Sequence, residues 1–91
     1  MTDRRAYRIT GNVQGVGFRW WTRKTASALN LRGTVRNARD GSVEIEAAGD
    51  EDDLSTFEEK LRQGPVSARV RELEREEPGN GSLPEDFQII R

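Results

Sequence analysis

Glycine is concentrated in one short segment of the chain, residues 11–17, which contains three glycines. Because glycine lacks a Cβ and tolerates positive φ angles, such a segment is too flexible for a regular helix or strand. Before it, Tyr7 and Ile9 alternate with polar residues, which predicts a strand over about residues 5–12. After it, apolar and small residues recur at helical spacing over residues 18–29. The glycines therefore predict a strand-loop-helix unit at the start of the fold.

The rest of the chain shows the same two periodicities. A strand is predicted at 34–37, followed by a turn at Asp40-Gly41 and a strand at 42–47 that ends at Gly49. A helix then begins at its cap Asp50 and ends at Gly64-Pro65. The remaining elements are a strand from Val66, a loop at 78–84 and a closing strand at 87–90. Leu73 is out of phase with Val70, which predicts a bulge or bend near Glu72. This order predicts a ferredoxin-like α/β sandwich, an antiparallel sheet with two helices on one face and a short extra C-terminal strand.

Two absences restrict the chemistry. The 91 residues, which we expect to form a single domain over residues 1–91, include no cysteine and no histidine. A Cys-nucleophile phosphatase, a phospho-histidine relay, a Cys/His zinc site and a Ser-His-Asp triad each lack an essential residue type. No apolar run has the length of a signal peptide or membrane span, so we expect a cytoplasmic protein that does not bind membranes.

The charge is distributed unevenly along the chain. Residues 1–39 carry nine basic side chains and one acidic one, and residues 40–91 carry six basic and fifteen acidic ones. The halves therefore carry +8 and −9, in agreement with the net charge of −1. We favour the interpretation that these charges pair across the fold. The alternative is a positive field that attracts small anions.

The glycine-rich loop is a candidate anion site. It is not a nucleotide P-loop, because no Gly-Lys-Ser/Thr sequence closes it, and Trp20 stands where a dinucleotide fingerprint needs a small residue. Glycines can direct successive N–H groups toward one point, and the following helix adds the positive end of its dipole. Arg19 lies at that helix start, where a cation opposes the dipole unless an anion binds. A plain tight turn beside a solvated arginine explains the loop alone equally well.

Two motifs resemble the signatures of the acylphosphatase family. Residues 13–19, Val-Gln-Gly-Val-Gly-Phe-Arg, are similar to the first signature, and Gly-Thr-Val-Arg-Asn at 33–37, with Asp-Gly-Ser-Val at 40–43, to the second. The resemblance extends over about residues 6–91. Thr34 departs from the aromatic residue common in the family, and Asn12 from a basic one. We expect the first departure to alter packing under Asn37 and the second to weaken the positive rim.

The resemblance implies a metal-independent hydrolase of acyl phosphates that uses no cofactor. Phosphate would be held by the loop residues and one guanidinium, namely Gln14, Gly15, Val16, Gly17, Phe18 and Arg19. Asn37 would orient the attacking water, and Arg19 and Asn37 are the predicted catalytic residues. A neutral amide can align water but cannot act as a base, so the phosphate itself would take the proton. The acidic residues at 50–53 are attributed to the helix start rather than to a metal site.

Two other functional classes are considered. One is a catalytically inactive anion-binding or regulatory module, of the kind found inside hydrogenase maturation factors. Those proteins are much longer, and we expect this chain to act alone. The other is RNA binding by a ferredoxin-like fold, which the absence of an aromatic pattern on the sheet disfavours. The expected partners are therefore an acyl phosphate substrate and inorganic phosphate as product, without nucleic acid, and the expected state is a monomer.

Overall fold

The computed structural model describes residues 2–91, and in it five strands form one sheet whose inner face packs against two helices. The elements are β1 Thr2–Asn12, α1 Phe18–Ala28, β2 Arg32–Asn37, β3 Val43–Asp50, α2 Glu51–Gln63, β4 Arg69–Glu76 and β5 Phe87–Ile89. The strand order across the sheet is β4-β1-β3-β2-β5. This is the predicted ferredoxin-like sandwich with its short extra C-terminal strand.

The direction of β5 differs from the prediction. Strands β1 to β4 pair antiparallel, but β5 pairs parallel with β2, so the sheet is mixed rather than wholly antiparallel. Residues 77–86, here called the crossing segment, connect β4 at one edge with β5 at the other. Three hydrogen bonds hold this segment: Gly79 N–H to Glu46, Arg4 to Gly81 O, and Arg32 to Leu83 O. Because the crossing ends beside the start of β2, β5 must run parallel to it.

One hydrophobic core lies between the sheet and the helices. Phe57 of α2 is fully buried in it, with ring centroids 6.3 Å from Tyr7 and 6.0 Å from Phe87 in edge-to-face geometry. Full burial of an aromatic or aliphatic side chain stabilises a fold by about 1.5–3 kcal/mol. Residues as far apart in the sequence as the first and last strands therefore depend on the same helix.

Several predicted strand boundaries were wrong, among them the start of β2, which lies at Arg32 rather than at residue 34. Strand β1 begins at Thr2 rather than near residue 5, and β3 continues through Gly49 to Asp50, because these residues pair with the start of β1. Strand β4 begins at Arg69, whereas Val66 is fully exposed and precedes it. In each case hydrogen bonds to a neighbouring strand determine where the strand begins or ends. Local sequence patterns contain no information about those hydrogen bonds.

The predicted bulge in β4 is confirmed. Thr10 pairs with Glu72 and Gly11 with Val70, so Arg71 has no partner in the register. The extra residue reverses the alternation and turns Leu73 into the core. A Cβ on Gly11 would lie 2.1 Å from the Arg69 carbonyl oxygen, so glycine is required opposite the bulge.

The basic N-terminal part of the chain pairs with the acidic C-terminal part. Ion pairs join Arg4 to Glu46, Arg5 to Glu58, Arg8 to Asp40 and Glu76, and Arg36 to Glu44. Four of the nine basic residues of residues 1–39 are paired in this way, so the favoured interpretation of the charge asymmetry holds in part. Within residues 2–91, neither helix is long and apolar enough to cross a bilayer.

Candidate active site

The two predicted motifs meet at one edge of the sheet. Strands β1, β2 and β5 run in the same direction, so their carboxyl ends lie together. Ile9 near the end of β1 and Asn37 at the end of β2 both pair with Val43 of β3. Since neighbouring strands lie about 4.8 Å apart, the two strand ends are separated by roughly 10 Å. The loop that leaves β1 and the amide that ends β2 therefore lie at the same end of the sheet, although Asn37 does not line the small cavity between that loop and α1.

Residues 13–17, here called the anion loop, present free backbone donors. Gly15 and Gly17 have φ angles of 74° and 79°, the left-handed conformation that turns the chain back on itself. Among residues 2–91, the N–H groups of residues 14–20 have no protein acceptor. A Cβ on either glycine would have no atom within 4 Å, so the space beside them is open. Such a loop, followed at once by a helix N-terminus, has the donors that an anion requires.

Two side chains hold the anion loop in place. The Gln14 side-chain amide donates to the carbonyl oxygens of Ala38 and Ser42, at 2.8 and 2.9 Å. The Ser67 hydroxyl donates to the Val16 carbonyl at 2.8 Å. Because the carbonyl and the following N–H of a trans peptide point in opposite directions, the Gly17 N–H points away from Ser67.

Arg19 differs from the other basic residues of the chain. It is half-buried, yet among residues 2–91 it has no hydrogen bond or ion pair. The other half-buried arginines, Arg4, Arg5 and Arg8, all have carboxylate partners. The remaining basic residues without a protein partner are fully exposed. A partly desolvated guanidinium beside free N–H groups is a binding element for an anion with two acceptor oxygens.

A small cavity of about 160 Å³ lies between the loop and the helix. Its lining consists of Val13, Gly15, Gly17, Phe18, Arg19, Trp20 and Ile89. Of the six predicted phosphate-binding residues, Gln14 and Val16 do not line it and the other four do. The Phe18 side chain is buried in the core, so only its N–H is available to a ligand. Ile89 was not predicted to lie here. Trp21 packs inward, with its ring centroid 5.5 Å from that of Phe18.

Asn37 has an unsatisfied buried oxygen. Its Oδ1 is buried, and no donor contacts it within the part of the chain that the structure describes. An acceptor left in this state costs about 1–3 kcal/mol, and because this oxygen has almost no accessible surface, a water molecule reaches it only if neighbouring side chains move. Thr34 does not lie under Asn37 as expected, because side chains alternate along β2 and Thr34 faces the opposite side of the sheet with Arg36 and Glu44.

The turn between β2 and β3 forms a second polar cluster. Asp40 accepts hydrogen bonds from the hydroxyl and the N–H of Ser42, at 2.6 and 3.0 Å, and Arg8 donates to both residues. The Ser42 hydroxyl is the main reason that the pKa of Asp40 is lowered, with its N–H and the Arg8 charge acting in the same direction. The cluster fixes the turn to which Gln14 is bonded. The sequence predicted the turn at Asp40-Gly41 but not the hydrogen bonds that Arg8 and Asp40 form with Ser42.

The acidic residues at 50–53 do not form a cluster with other potential metal ligands among the described residues. Glu51, Asp52 and Asp53 form the first turn of α2, where the helix dipole favours negative charge. Over residues 2–91, no cluster of three or more potential metal ligands is present.

Comparison with known proteins places this site in context. A model of the acylphosphatase family matches residues 5–89. An acylphosphatase of Nitratidesulfovibrio vulgaris (strain DP4) is 49% identical over 88 residues, which cover 94% of this chain and 88% of the relative. The crystal structure of acylphosphatase from Bacillus subtilis superposes with a TM-score of 0.90 at 33% identity and covers 100% of both chains. T. kodakarensis HypF matches all of this chain with a TM-score of 0.80 at 33% identity, but over 12% of its own length.

Proposed function

The chain belongs to the acylphosphatase family, and we propose that it hydrolyses the carboxyl–phosphate bond of acyl phosphates at the anion loop. The products are a carboxylate and inorganic phosphate. The observation that carries the assignment of the site is the half-buried, unpartnered Arg19 beside the free N–H groups of residues 14–20. These groups supply positive charge where a phosphoryl group bears negative charge.

The phosphoryl group is proposed to sit in the small cavity. Its oxygens accept hydrogen bonds from the N–H groups of Gln14, Gly15, Val16, Gly17 and Phe18 and from the guanidinium of Arg19. The Ser67 contact supports this arrangement, since it turns the Gly17 N–H away from the outside of the loop. In phosphoryl transfer most of the catalysis comes from positioning and electrostatic stabilisation, and both are available here.

Asn37 is proposed to align the attacking water. Its Nδ2 is not among the buried atoms and has no protein acceptor within residues 2–91, so it can donate a hydrogen bond to the oxygen of that water. The water oxygen forms a bond to phosphorus while the bond between phosphorus and the acyl oxygen breaks. The electron pair of that bond leaves with the carboxylate, which is stable enough to need no general acid.

The proton of the attacking water passes to a phosphate oxygen. The chain contains no histidine, and the lining of the cavity includes no carboxylate that could act as a base. We propose that the substrate serves as its own base and that the reaction proceeds without a metal or other cofactor. We also propose that residues 1–91 act as a single domain and as a cytoplasmic monomer, since every residue proposed for the site comes from one chain.

The deciding experiment is hydrolysis of benzoyl phosphate by the purified protein in excess chelator. We expect turnover well above the spontaneous rate. A folded protein that binds phosphate but gives no turnover would support the alternative, an anion-binding module without catalysis. Loss of turnover only when chelator is added would show that a metal participates.

A further inference from the structure

The charges of helix α1 are opposite to those that stabilise an isolated helix. The helix carries Arg19, Arg23 and Lys24 and has no acidic residue. The helix dipole disfavours cations near the N-terminus, and like charges four residues apart, as in Arg19 and Arg23, repel each other. Helix α2 shows the favourable arrangement, with acidic residues in its first turn and basic ones in its last. The cations of α1 are therefore not explained by helix stability.

A second depression lies directly beside the phosphate cavity. This groove, here called the side groove, has a volume of about 440 Å³ and is lined by Trp20, Arg23, Lys24, Ser27, Asp86 and Phe87. Trp20 lines both depressions, and its side chain is 55% exposed. A substrate with its phosphoryl group on the anion loop can therefore extend along Trp20 into the side groove.

The side groove carries excess positive charge. Arg23 has no hydrogen bond or ion pair among the described residues, and Lys24 lies over the Trp20 ring at 5.0 Å from its centroid. Asp86 is the one acidic residue of the lining, and within residues 2–91 it forms no ion pair with either cation. Both cations therefore lack a carboxylate partner in the described part of the chain, and the face of the indole that Lys24 does not cover is an apolar surface beside them.

We infer that the side groove binds the acyl portion of the substrate and favours acyl groups that carry a second negative charge. This inference rests on the proposed function. Residues four apart on a helix have Cβ atoms about 5–6 Å apart, so Arg19 and Arg23 can contact two anionic groups of one small molecule. The body of the acyl group lies against Trp20, and its distal carboxylate or phosphate reaches Arg23 and Lys24. Arg23 is thus a specificity residue.

Three matched substrates test the preference. Benzoyl phosphate, 4-carboxybenzoyl phosphate and 4-carbamoylbenzoyl phosphate share the ring, and the last two differ mainly in charge. At low ionic strength we expect kcat/KM for the carboxylated substrate to exceed that for the carbamoyl substrate by roughly three-fold to ten-fold, in keeping with one or two partly exposed ion pairs. The ratio falls toward one as salt is added.

Variants assign the preference to the side groove. Arg23→Gln should lower the carboxylate-to-carbamoyl ratio by about two-fold to five-fold. Asp86→Asn should raise the ratio, because it removes the opposing charge. Lys60→Gln is the matched control, since Lys60 is an exposed cation on α2 outside the side groove, and it should leave the ratio unchanged.

Binding of non-hydrolysable analogues separates this inference from the proposed function. Phosphonates in which CH2 replaces the bridging oxygen of the same three compounds are titrated into the protein while Trp fluorescence is followed. We expect the carboxylated analogue to have a lower Kd than the carbamoyl analogue, in line with the order of kcat/KM. A ratio near one for binding and turnover in the wild type, or a ratio unchanged by Arg23→Gln, would overturn the inference. Absence of hydrolysis with the binding preference intact would overturn the proposed catalysis and support the side groove.

Discussion

Arg8 and Arg19 are both half-buried, and both lie near the edge of the sheet that carries the site, but their surroundings differ. Arg8 contacts Asp40, Ser42 and Glu76 and so joins β1 to its neighbours. Arg19 has no protein partner among residues 2–91 and faces a cavity instead. The comparison separates two uses of the same side chain, one that stabilises the fold and one that remains available for a ligand.

Charge alone could not have made this distinction. Both arginines belong to the basic first part of the chain, in which four of the nine basic residues pair with the acidic remainder. What identifies Arg19 is the absence of a carboxylate within reach, combined with free N–H groups beside it. Substitution of each arginine therefore separates the two uses by experiment.

Arg19→Ala should lower kcat/KM for benzoyl phosphate by roughly 10³-fold or more, as loss of a charge-clamping arginine does in phosphoryl transfer. Its stability should be unchanged or slightly higher, because a cation near a helix N-terminus is removed. Steady-state kinetics and thermal unfolding measure the two effects. Arg8→Ala is the comparison variant, and a similar loss of activity there at equal folding would contradict the division between the two arginines.

Asn37→Ala should lower kcat by about 10²- to 10³-fold, since loss of one aligned polar group typically has this effect. Phosphate binding should change much less, because the amide is proposed to contact the water rather than the phosphoryl group. Inhibition by phosphate gives the second quantity. An equal loss of binding would reassign Asn37 as a phosphate ligand.

Inorganic phosphate should stabilise the wild type but not Arg19→Ala. A ligand at ten times its Kd adds about 1.4 kcal/mol to the free energy of unfolding. Thermal unfolding with and without phosphate, at constant ionic strength, measures the shift. Arg8→Ala should keep the stabilisation, and its loss there would show that both arginines hold the anion.

Asp40→Asn should destabilise the protein at neutral pH and have less effect in acid. Because the Ser42 hydroxyl, assisted by Arg8, lowers the pKa of Asp40 in the folded state, its stabilising contribution is present above the unfolded pKa of about 3.9. It is lost as the pH falls through the lower, folded-state pKa. Urea unfolding at pH 7 and pH 3 should show a smaller difference between variant and wild type at pH 3, and an undiminished difference would count against this linkage.

Turnover should be nearly constant between about pH 6 and 8. An arginine side chain stays protonated in this range and an amide does not ionise, so neither proposed catalytic group changes its charge. Initial rates in buffers of constant ionic strength test this. A sharp bell within that range would require a titrating base that the cavity lining does not contain.

The sequence predicted the parts of the site that depend on local structure. The glycines of the anion loop, the helix start at Phe18 and the turn at Asp40-Gly41 are short-range features, and each was located correctly. The hydrogen bonds that hold the anion loop in place were not predicted, because they join residues that are far apart in the sequence. Ser67 reaches Val16, and Gln14 reaches Ala38 and Ser42, only after the sheet has assembled.

The direction of β5 could not be predicted from the sequence, for the same reason. Nothing within residues 87–90 specifies whether a short strand runs parallel or antiparallel to its neighbour. Contacts of the crossing segment with Arg4, Arg32 and Glu46 determine where that strand enters the sheet. Pattern therefore predicted that the strand exists, and tertiary contacts determined its partner and direction.

The parallel placement of β5 has a consequence for how the site opens. Ile89 forms part of the cavity wall, yet its strand has only three register positions with β2, followed by one hydrogen bond from Ile90 to Val35. A short edge ladder separates from a sheet at lower free energy than the central strands do. Local fraying of β5 would widen the cavity without unfolding the loop or the helix. Amide hydrogen exchange at Ile90, whose N–H donates to the Val35 carbonyl, would therefore report on access to the phosphate site.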